Sequence, residues 1–381
     1  MKIALFTGNY VHIKDGVSLT LNRLVRYLTE ERGFQVMVFG PDISSRAIEP
    51  AGTFVEVPSV PAPGRPEYRV SLFLPEVLRH EIELFRPDLI HIATPDFLGL
   101  AALRFALRNR IPVLSSYHTH FSSYLKYYGL DVLEGLLWKY LKWFYDRCDV
   151  VVSPSESMNE YLLRNGLDAK KVGLWSRGVE TELFSPVRRS EAFREQQGFA
   201  KDDVVVSYIS RLVWEKDPRT FIDAVEKAQA ANPKIKVLVG GEGPAREQMA
   251  QELPGAVFTG FAFGEALAEI YASSDIFVFP SDTETFGNVT LEAMSSGVPA
   301  LVANAVGSKS IVLHDKTGYI LPVGDAGAFA EGILRLAADS ALRADMSAQA
   351  RERALTFGWS RVMEGLTETY EAVIADHRLK A

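Results

Sequence analysis

The chain of 381 residues contains a single cysteine, Cys148, so it cannot form an internal disulfide bond. Residues 1–8 are a short strand-like run that lacks the apolar core of a signal peptide. No window approaches the roughly eighteen apolar residues of a membrane-spanning helix, although a protein of this composition can still lie on a membrane. These absences predict a reducing, cytoplasmic location.

Excess positive charge is also missing. Residues 1–186 carry 21 Lys and Arg against 21 Asp and Glu, so the remainder carries 20 against 27 and holds the whole net charge of −7. Nucleic-acid binding needs a cationic face, so we expect no nucleic-acid partner. There are no low-complexity tracts or fixed-period repeats, and the length favours two domains.

Short apolar runs rich in Val, Ile and Phe alternate with amphipathic helical stretches, a pattern typical of parallel sheets. Strands are predicted in two series, at 3–7, 35–39, 89–93, 113–117 and 150–153, then at 204–209, 236–239, 257–259, 276–279 and 300–303. The pattern predicts an α/β protein with two doubly wound, Rossmann-like domains that face a cleft. Ligands are expected at the carboxyl ends of the strands.

The predicted domains are 1–186 and 187–358, followed by a last helix at 359–381. The polar, charge-rich segment 187–203 shows no core pattern and is interpreted as a linker. The last helix is expected to pack back on the N-terminal domain, because four apolar residues share one side of it: Val362, Leu366, Tyr370 and Val373.

Two glutamates, Glu284 and Glu292, stand on either side of a predicted helix start. The turn at Phe286 and Gly287 leaves free backbone N–H groups at this start, which favours an anion site. A carboxylate suits a pair of vicinal hydroxyls, and a nucleotide sugar has such pairs on its ribose and its hexose. The alternative is that both glutamates are solvated charges stabilised by the helix dipole.

Arg211 and Lys216 follow another strand end, where two cations could neutralise a diphosphate and its leaving-group charge. In isolation, such a pair is most often a pair of surface charges. The short acidic pair Asp282 and Glu284 has no nearby histidine, so we predict no essential metal. The run 240–246 is similar to a dinucleotide fingerprint, but Arg246 occupies the third glycine position, and we therefore reject a dehydrogenase.

In the first half, Asp15 and Gly16 open a helix after the first strand. Gly16 would let a backbone approach a phosphate closely, and Asp15 could hold a hydroxyl. His118 and His120 follow the strand at 113–117. A metal site there would need a third ligand, which the sequence does not offer at a suitable spacing.

An aromatic-rich helix is predicted near 132–147. One apolar face should be core and consists of Leu133, Leu136, Leu137, Tyr140, Leu141 and Phe144. Off this face lie Trp138, Lys139, Lys142 and Trp143. Tryptophan beside lysine is the composition expected at a membrane interface. An ordinary amphipathic helix with snorkelling lysines remains an equal alternative.

Together, the motifs resemble the retaining glycosyltransferases of family 4, which have the GT-B fold. The resemblance covers nearly the whole chain and rests on Arg211 with Lys216, the Gly-Glu-Gly-Pro turn at 241–244, and the motif from Glu284 to Glu292. Asp15-Gly16, the histidine stretch, and Arg177-Gly178 with Glu180 look closest to lipid-directed enzymes. Examples are GDP-mannose-dependent α-mannosyltransferases and sulfoquinovosyldiacylglycerol synthases.

The resemblance implies residue roles. Glu284 would contact the donor hexose and Glu292 the ribose, while Arg211 and Lys216 would bind the diphosphate. The backbone of Phe286, Gly287, Asn288 and Val289, together with Gly16, would lie along the donor. His118, favoured over His120, would lie beside the donor sugar. The catalytic candidates are therefore His118, Arg211, Lys216 and Glu284, and the acceptor-side candidates are Asp15 and His120.

The sequence thus predicts a retaining hexosyltransferase. It would use GDP-mannose or a UDP-hexose as donor, with no other cofactor, and a lipid hydroxyl as acceptor, at an anionic membrane surface on the cytoplasmic face. Two alternatives stay open: transfer to a soluble acceptor, and a non-catalytic subunit that binds a nucleotide sugar.

Overall fold

The computed structural model describes residues 1–43, 45–62, 65–118 and 134–380. The chain forms two compact units, Met1–Ser176 together with Val362–Ala381, and Arg177–Arg361. Each unit is built on one parallel sheet, as expected from the alternation of apolar runs and helices. Within the described ranges, every helix is too short or too polar to cross a bilayer.

The first unit contains a seven-stranded parallel sheet and a separate hairpin. The sheet strands are β1 (Lys2–Phe6), β2 (Gln35–Pro41), β3 (Thr53–Val57), β6 (Leu89–Ile92), β7 (Val113–Ser116), β8 (Val150–Ser153) and β9 (Val172–Leu174), and the hairpin is β4 (Val60–Ala62) with β5 (Arg65–Val70). The strand order is β3-β2-β1-β6-β7-β8-β9. It reverses between β1 and β6, which makes their carboxyl ends a topological switch point.

The second unit contains a six-stranded parallel sheet. Its strands are β10 (Val204–Ile209), β11 (Ile235–Gly240), β12 (Val257–Gly260), β13 (Ile276–Phe279), β14 (Ala300–Ala303) and β15 (Gly318–Leu321). The order β12-β11-β10-β13-β14-β15 reverses between β10 and β13. Two doubly wound sheets confirm the predicted α/β fold class.

Helices connect the strands of both units. They are α1 (Gly16–Arg26), α2 (Glu76–Phe85), α3 (Phe97–Asn109), α4 (Glu134–Tyr145), α5 (Glu156–Arg164), α6 (Glu191–Gln196), α7 (Pro218–Ala231), α8 (Arg246–Glu252), α9 (Gly264–Ala272), α10 (Asn288–Ser295), α11 (Ala326–Ala338), α12 (Ser340–Leu355) and α13 (Trp359–Lys380). Many begin at a side-chain cap that the sequence supplies. Asp96, Ser155 and Asp217, for example, each accept a hydrogen bond from a first-turn N–H group.

All ten predicted strands are present, but three sheet strands were missed. These are β3, β9 and β15, and each lies at the edge of its sheet. An edge strand is only partly covered, so its apolar pattern is weaker than that of a central strand buried on both faces. β9, for example, is the three-residue strand Val-Gly-Leu, in which no residue is fully buried.

The interpretation of 187–203 as a linker is wrong. This segment contains α6 and packs into the second unit through Arg194, which is 2% exposed. The Arg194 guanidinium lies 3.0 Å from the Asp275 carboxylate and also donates to the carbonyl oxygens of Ser273 and Asp203. A buried arginine paired in this way replaces the apolar anchors that sequence patterns reveal.

The last helix, α13, buries the apolar side that the sequence predicts. Val362, Leu366, Tyr370 and Val373 are all 8% exposed or less. Tyr370 reaches β6, where its hydroxyl lies 2.7 Å from His91 Nδ1. From Val362 onward the helix therefore belongs to the first unit, although the segment immediately before that residue, Arg177–Arg361, belongs to the second.

Candidate active site

The loops after β10 and β13 lie at the switch point of the second sheet and bring two predicted charged residues into contact. Lys216 Nζ lies 2.7 Å from Glu284 Oε1, and the two side chains are only 13% and 18% exposed. Lys216 also donates to Thr283 Oγ1 at 3.2 Å, while the Thr283 hydroxyl donates to the carbonyl of Glu215 at 3.1 Å. The pair therefore lies where open parallel sheets bind their ligands.

Arg211 lies on the same loop as Lys216 but points elsewhere. Its side chain is 74% exposed, and Nη2 lies 3.3 Å from Glu215 Oε1. An exposed ion pair of this kind contributes about 0–1 kcal/mol, so Arg211 can exchange Glu215 for an anionic ligand at small cost. Among the four charged residues predicted for this site, the described structure shows one direct contact, between Lys216 and Glu284.

The glycine-rich turn at 240–243 packs against the loop that carries Arg211. A Cβ atom on Gly241 would lie 1.9 Å from the Ser210 carbonyl oxygen, and one on Gly243 would lie 2.3 Å from that of Leu212. Both glycines have positive φ, 117° and 155°. The glycines thus permit close approach of two loops and fix the position of the Arg211 loop.

The start of α10 is shaped by Gly287. Its φ is 104°, and a Cβ atom there would lie 2.5 Å from Ser308 Oγ. The helix start has no side-chain cap, and Asn288 at its first position is exposed. A helix N-terminus of this kind offers backbone N–H groups and a partial positive charge to an anion.

The side chains of Phe286 and Val289 face inward. Phe286 is 3% exposed, and its ring centroid lies 5.9 Å from that of Phe357. Val289 packs against the same core. These two positions can therefore meet a ligand through their backbone atoms, as the sequence analysis predicts, while their side chains stabilise the loop.

Glu292 lies one turn inside α10, next to Tyr271 of α9. Although the residue keeps some exposed surface, its carboxyl group is desolvated, and this burial raises the pKa of Glu292 to about 7. The nearby Tyr271 hydroxyl lowers the pKa of Glu292 and so opposes that shift. Near neutral pH the group can therefore both donate and accept a hydrogen bond.

Asp15 is the N-cap of α1. Its Oδ1 accepts from the backbone N–H groups of Val17 and Ser18, at 3.0 and 2.8 Å, and its Oδ2 accepts from Asn9 at 2.8 Å. The Asp15 carboxylate is thus already engaged in capping. Gly16 differs from Gly287, because a Cβ atom on it would meet none of the described residues within 4 Å.

His118, at the end of β7, belongs to a chain of hydrogen bonds. His118 Nε2 lies 2.8 Å from Ser116 Oγ, which lies 2.8 Å from His91 Nε2. The chain continues from His91 Nδ1 to the Tyr370 hydroxyl. His118 is buried, with 7% of its surface exposed. His120 lies outside the described residues.

Sequence reasoning missed several polar residues of the first unit. His91 lies within an apolar strand, Ser116 ends a strand, and Tyr370 counts only among the apolar residues of the last helix, so no local motif marks their polar contacts. His12, in the loop after β1, has no hydrogen-bond partner on either ring nitrogen among the described residues. Burial lowers the pKa of His12, against the attraction of the Asp15 carboxylate.

The four membrane-facing candidates do not share one open face of α4. Trp138 packs edge-to-face on Tyr161, and Lys142 forms an ion pair with Asp146 at 2.8 Å. Lys139 is exposed and Trp143 is 39% exposed.

Leu136, predicted as core, is 66% exposed instead. Leu133 lies outside the described residues. The exposed side chains that follow helical spacing along α4 and just beyond its end are therefore Leu136, Lys139, Trp143 and Arg147. The Arg147 guanidinium stacks 4.2 Å from the centroid of the Trp143 ring.

A separate open hollow of about 510 Å³ lies in the second unit, and its lining includes Phe258, Phe261 and Phe263. It contains none of the predicted site residues. Among the described residues, no group of three or more His, Cys, Asp or Glu side chains is arranged to hold a metal ion.

Comparison with known proteins gives two family matches, Glycosyltransferase Family 4 over residues 14–183 and Glycosyl transferases group 1 over residues 189–353. A GDP-mannose-dependent alpha-mannosyltransferase of Mycolicibacterium smegmatis is 31% identical, over 100% of both chains. Sulfoquinovosyl transferase SQD2 of Arabidopsis thaliana is 32% identical over 83% of this chain, which spans 63% of that protein. The solved structure of Anabaena HepE with UDP matches 98% of this chain and 100% of that chain, with a TM-score of 0.75 and 20% identity.

Proposed function

Because the chain belongs to glycosyltransferase family 4, we propose that it is a retaining hexosyltransferase. It moves a hexose from GDP-mannose or a UDP-hexose to a hydroxyl group of a lipid acceptor. The observation that carries this proposal is the contact between Lys216 and Glu284 at the switch point of the second sheet. It places a cation for phosphate and a carboxylate for sugar hydroxyls side by side.

In this proposal the second unit holds the donor. Lys216 and Arg211 bind the diphosphate, and the exposed backbone at the start of α10 contacts the same phosphates. Glu284 accepts hydrogen bonds from the hexose hydroxyls. Glu292, one turn inside the helix, contacts the ribose. When the donor binds, phosphate oxygens replace Glu284 as the partner of Lys216.

The reaction that we propose is a displacement on the leaving-group face, as in the retaining enzymes that the sequence resembles. The acceptor oxygen forms a bond to the anomeric carbon on the face from which the diphosphate leaves, so the configuration is retained. The bond between the anomeric carbon and the diphosphate oxygen breaks, and a diphosphate oxygen takes the acceptor proton. Lys216 and Arg211 stabilise the charge that develops on the leaving group. The protein therefore supplies position and electrostatics, with no covalent nucleophile.

The lipid acceptor is favoured by the exposed stripe of α4, which combines Leu136 and Trp143 with Lys139 and Arg147. Aromatic and basic side chains on one face suit an anionic membrane surface. Flotation with anionic liposomes at low salt tests this part. Binding that is lost in a Trp143→Ala/Lys139→Glu variant supports a lipid acceptor, whereas a wild-type protein that stays in the unbound fraction favours a soluble acceptor.

Thermal-shift screening against GDP, UDP and their sugars identifies the donor, because a ligand that binds only the folded state raises Tm. Donor turnover in the presence of membrane lipid then separates an enzyme from a binding subunit. Stabilisation by one nucleoside diphosphate together with turnover of its sugar is the expected result. Stabilisation without turnover for any donor would instead indicate a non-catalytic subunit.

A further inference from the structure

The direction of hydrogen-bond donation along the chain from Tyr370 to His118 in the first unit is determined by Tyr370. Tyr370 is fully buried, and among the described residues its hydroxyl has one hydrogen-bond partner, His91 Nδ1. Burial holds the pKa of Tyr370 well above its usual value, so the hydroxyl keeps its proton. A buried donor without an acceptor is costly, and the Tyr370 hydroxyl must therefore donate to His91 Nδ1.

His91 transmits that direction. Burial lowers its pKa to about 3, so its imidazole is neutral and carries one proton. Since Nδ1 accepts from Tyr370, the proton lies on Nε2 and is donated to Ser116 Oγ, 2.8 Å away. The single Ser116 proton is then left to be donated to His118 Nε2, also 2.8 Å away.

The rings of this chain are held in place. Trp175 packs edge-on against both histidines, with ring centroids 5.8 Å from His91 and 5.2 Å from His118. Ser116 and His91 are fully buried. The orientations therefore persist without solvent to exchange partners, as required for one direction of the chain to dominate.

We propose that Tyr370 of the last helix, acting through His91 and Ser116, holds His118 as the tautomer that carries its proton on Nδ1. His118 then presents a hydrogen-bond donor rather than an acceptor, and Tyr370, His91 and Ser116 are positioning residues. That this Nδ1–H group donates to a hydroxyl or phosphate oxygen of the nucleotide sugar rests on the proposed function. The tautomer itself does not.

Long-range ¹H–¹⁵N correlation spectra of the histidine rings test the tautomer directly. His118 is assigned by comparison with His118→Gln. The expected wild-type spectrum shows a protonated Nδ1 and an unprotonated Nε2 for His118. In Tyr370→Phe, His118 should become a mixture of tautomers. A wild-type His118 protonated on Nε2, or an unchanged tautomer in Tyr370→Phe, would overturn the proposal.

Tyr145→Phe is the matched control, because Tyr145 is also fully buried in the first unit and its hydroxyl has no hydrogen-bond partner among the described residues. It should leave the His118 spectrum and donor turnover unchanged. Any loss of the tautomer in this variant would mean that removal of a buried hydroxyl perturbs the unit in general, which would contradict the assigned chain.

Activity provides the second arm. Tyr370→Phe and Ser116→Ala should each lower kcat by about three- to tenfold, the scale of one hydrogen bond, with little change in donor KM. The double variant should be no slower than Ser116→Ala, since both changes break one chain. A double variant whose loss of kcat equals the product of the two single losses would refute the proposed chain. If no donor is turned over, the proposed function fails while the ring spectra still decide the tautomer.

Discussion

In the second unit, Lys216 and Glu284 form a charged contact at the ends of β10 and β13, whereas in the first unit His118 ends a chain of hydroxyl and imidazole groups. The charged contact keeps some exposure and can exchange its partner for a ligand of the same charge. The chain is buried and its partners are fixed. The second unit therefore contains an exchangeable ion pair, whereas the first contains a buried hydrogen-bonded chain with fixed partners.

The backbones differ in a parallel way. Gly287 has positive φ and is crowded by Ser308, while Gly16 has open space on its Cβ side. Crowding indicates that the loop itself requires glycine. The open space at Gly16 indicates that no described residue requires glycine there.

The largest effect is expected at the charged pair. Lys216→Ala and Glu284→Ala should each lower donor turnover by roughly a hundredfold or more, the scale for losing a charged transition-state contact. Steady-state kinetics measures this. Lys227→Ala, which removes an exposed lysine from α7 of the same unit, serves as the control and should keep the wild-type rate. Wild-type rates in either site variant would contradict the assignment.

Glu292 should make stability depend on pH. Its folded pKa of about 7 lies above the ordinary value of 4.5, so between these values the folded protein binds more protons than the unfolded one. Its contribution is fully present below about pH 4.5 and is lost as pH rises to about 7, by up to about 3 kcal/mol.

Urea unfolding of the wild type and Glu292→Gln at pH 5 and pH 8 measures this difference. The variant should gain stability relative to the wild type at pH 8. A stability difference that is the same at both pH values would show that Glu292 is ionised normally.

Gly287→Ala and Gly16→Ala test the contrast between the two backbones. Gly287→Ala should lower the free energy of unfolding by about 1–3 kcal/mol, because alanine must adopt a strained φ against Ser308. Gly16→Ala should leave stability unchanged and raise a substrate KM if a ligand approaches there. Equal stability losses in both variants would remove the distinction.

Asp15 separates a structural role from a chemical one. Asp15→Ala should cost about 0.5–2 kcal/mol of stability through loss of the cap, whereas Asp15→Asn should keep the cap, because asparagine caps equally well, and lose only the hydrogen bond from Asn9. Denaturant unfolding and acceptor kinetics are measured on both variants. If Asp15→Asn keeps the wild-type acceptor KM and kcat, the carboxylate acts only as a cap.

The central strands could be predicted because they are buried on both faces and read as continuous apolar runs, as in β10 with Val204 to Ile209. The edge strands β3, β9 and β15 and the helix α6 could not, since half-covered strands and a buried Arg194 leave no such pattern. Leu136 shows the opposite error, an apolar residue at core spacing that remains exposed.

For the site, loop positions followed from strand ends, so Lys216 and Glu284 could be predicted to lie near each other. The outward direction of Arg211 depends on Glu215 and could not be read from spacing. The partners of His118 come from β6, β7 and α13, which are far apart in sequence. No local motif records contacts of that kind.

The central claim is that Lys216 holds the diphosphate and Glu284 the hexose of a nucleotide sugar. Its most direct test is calorimetric titration of the nucleoside diphosphate and its hexose derivative into the wild type and Glu284→Gln. The account predicts that the wild type binds the sugar derivative more tightly, and that Glu284→Gln loses this preference while keeping its affinity for the nucleoside diphosphate within a few-fold. Equal weakening of both ligands, or an unchanged preference, would contradict the account.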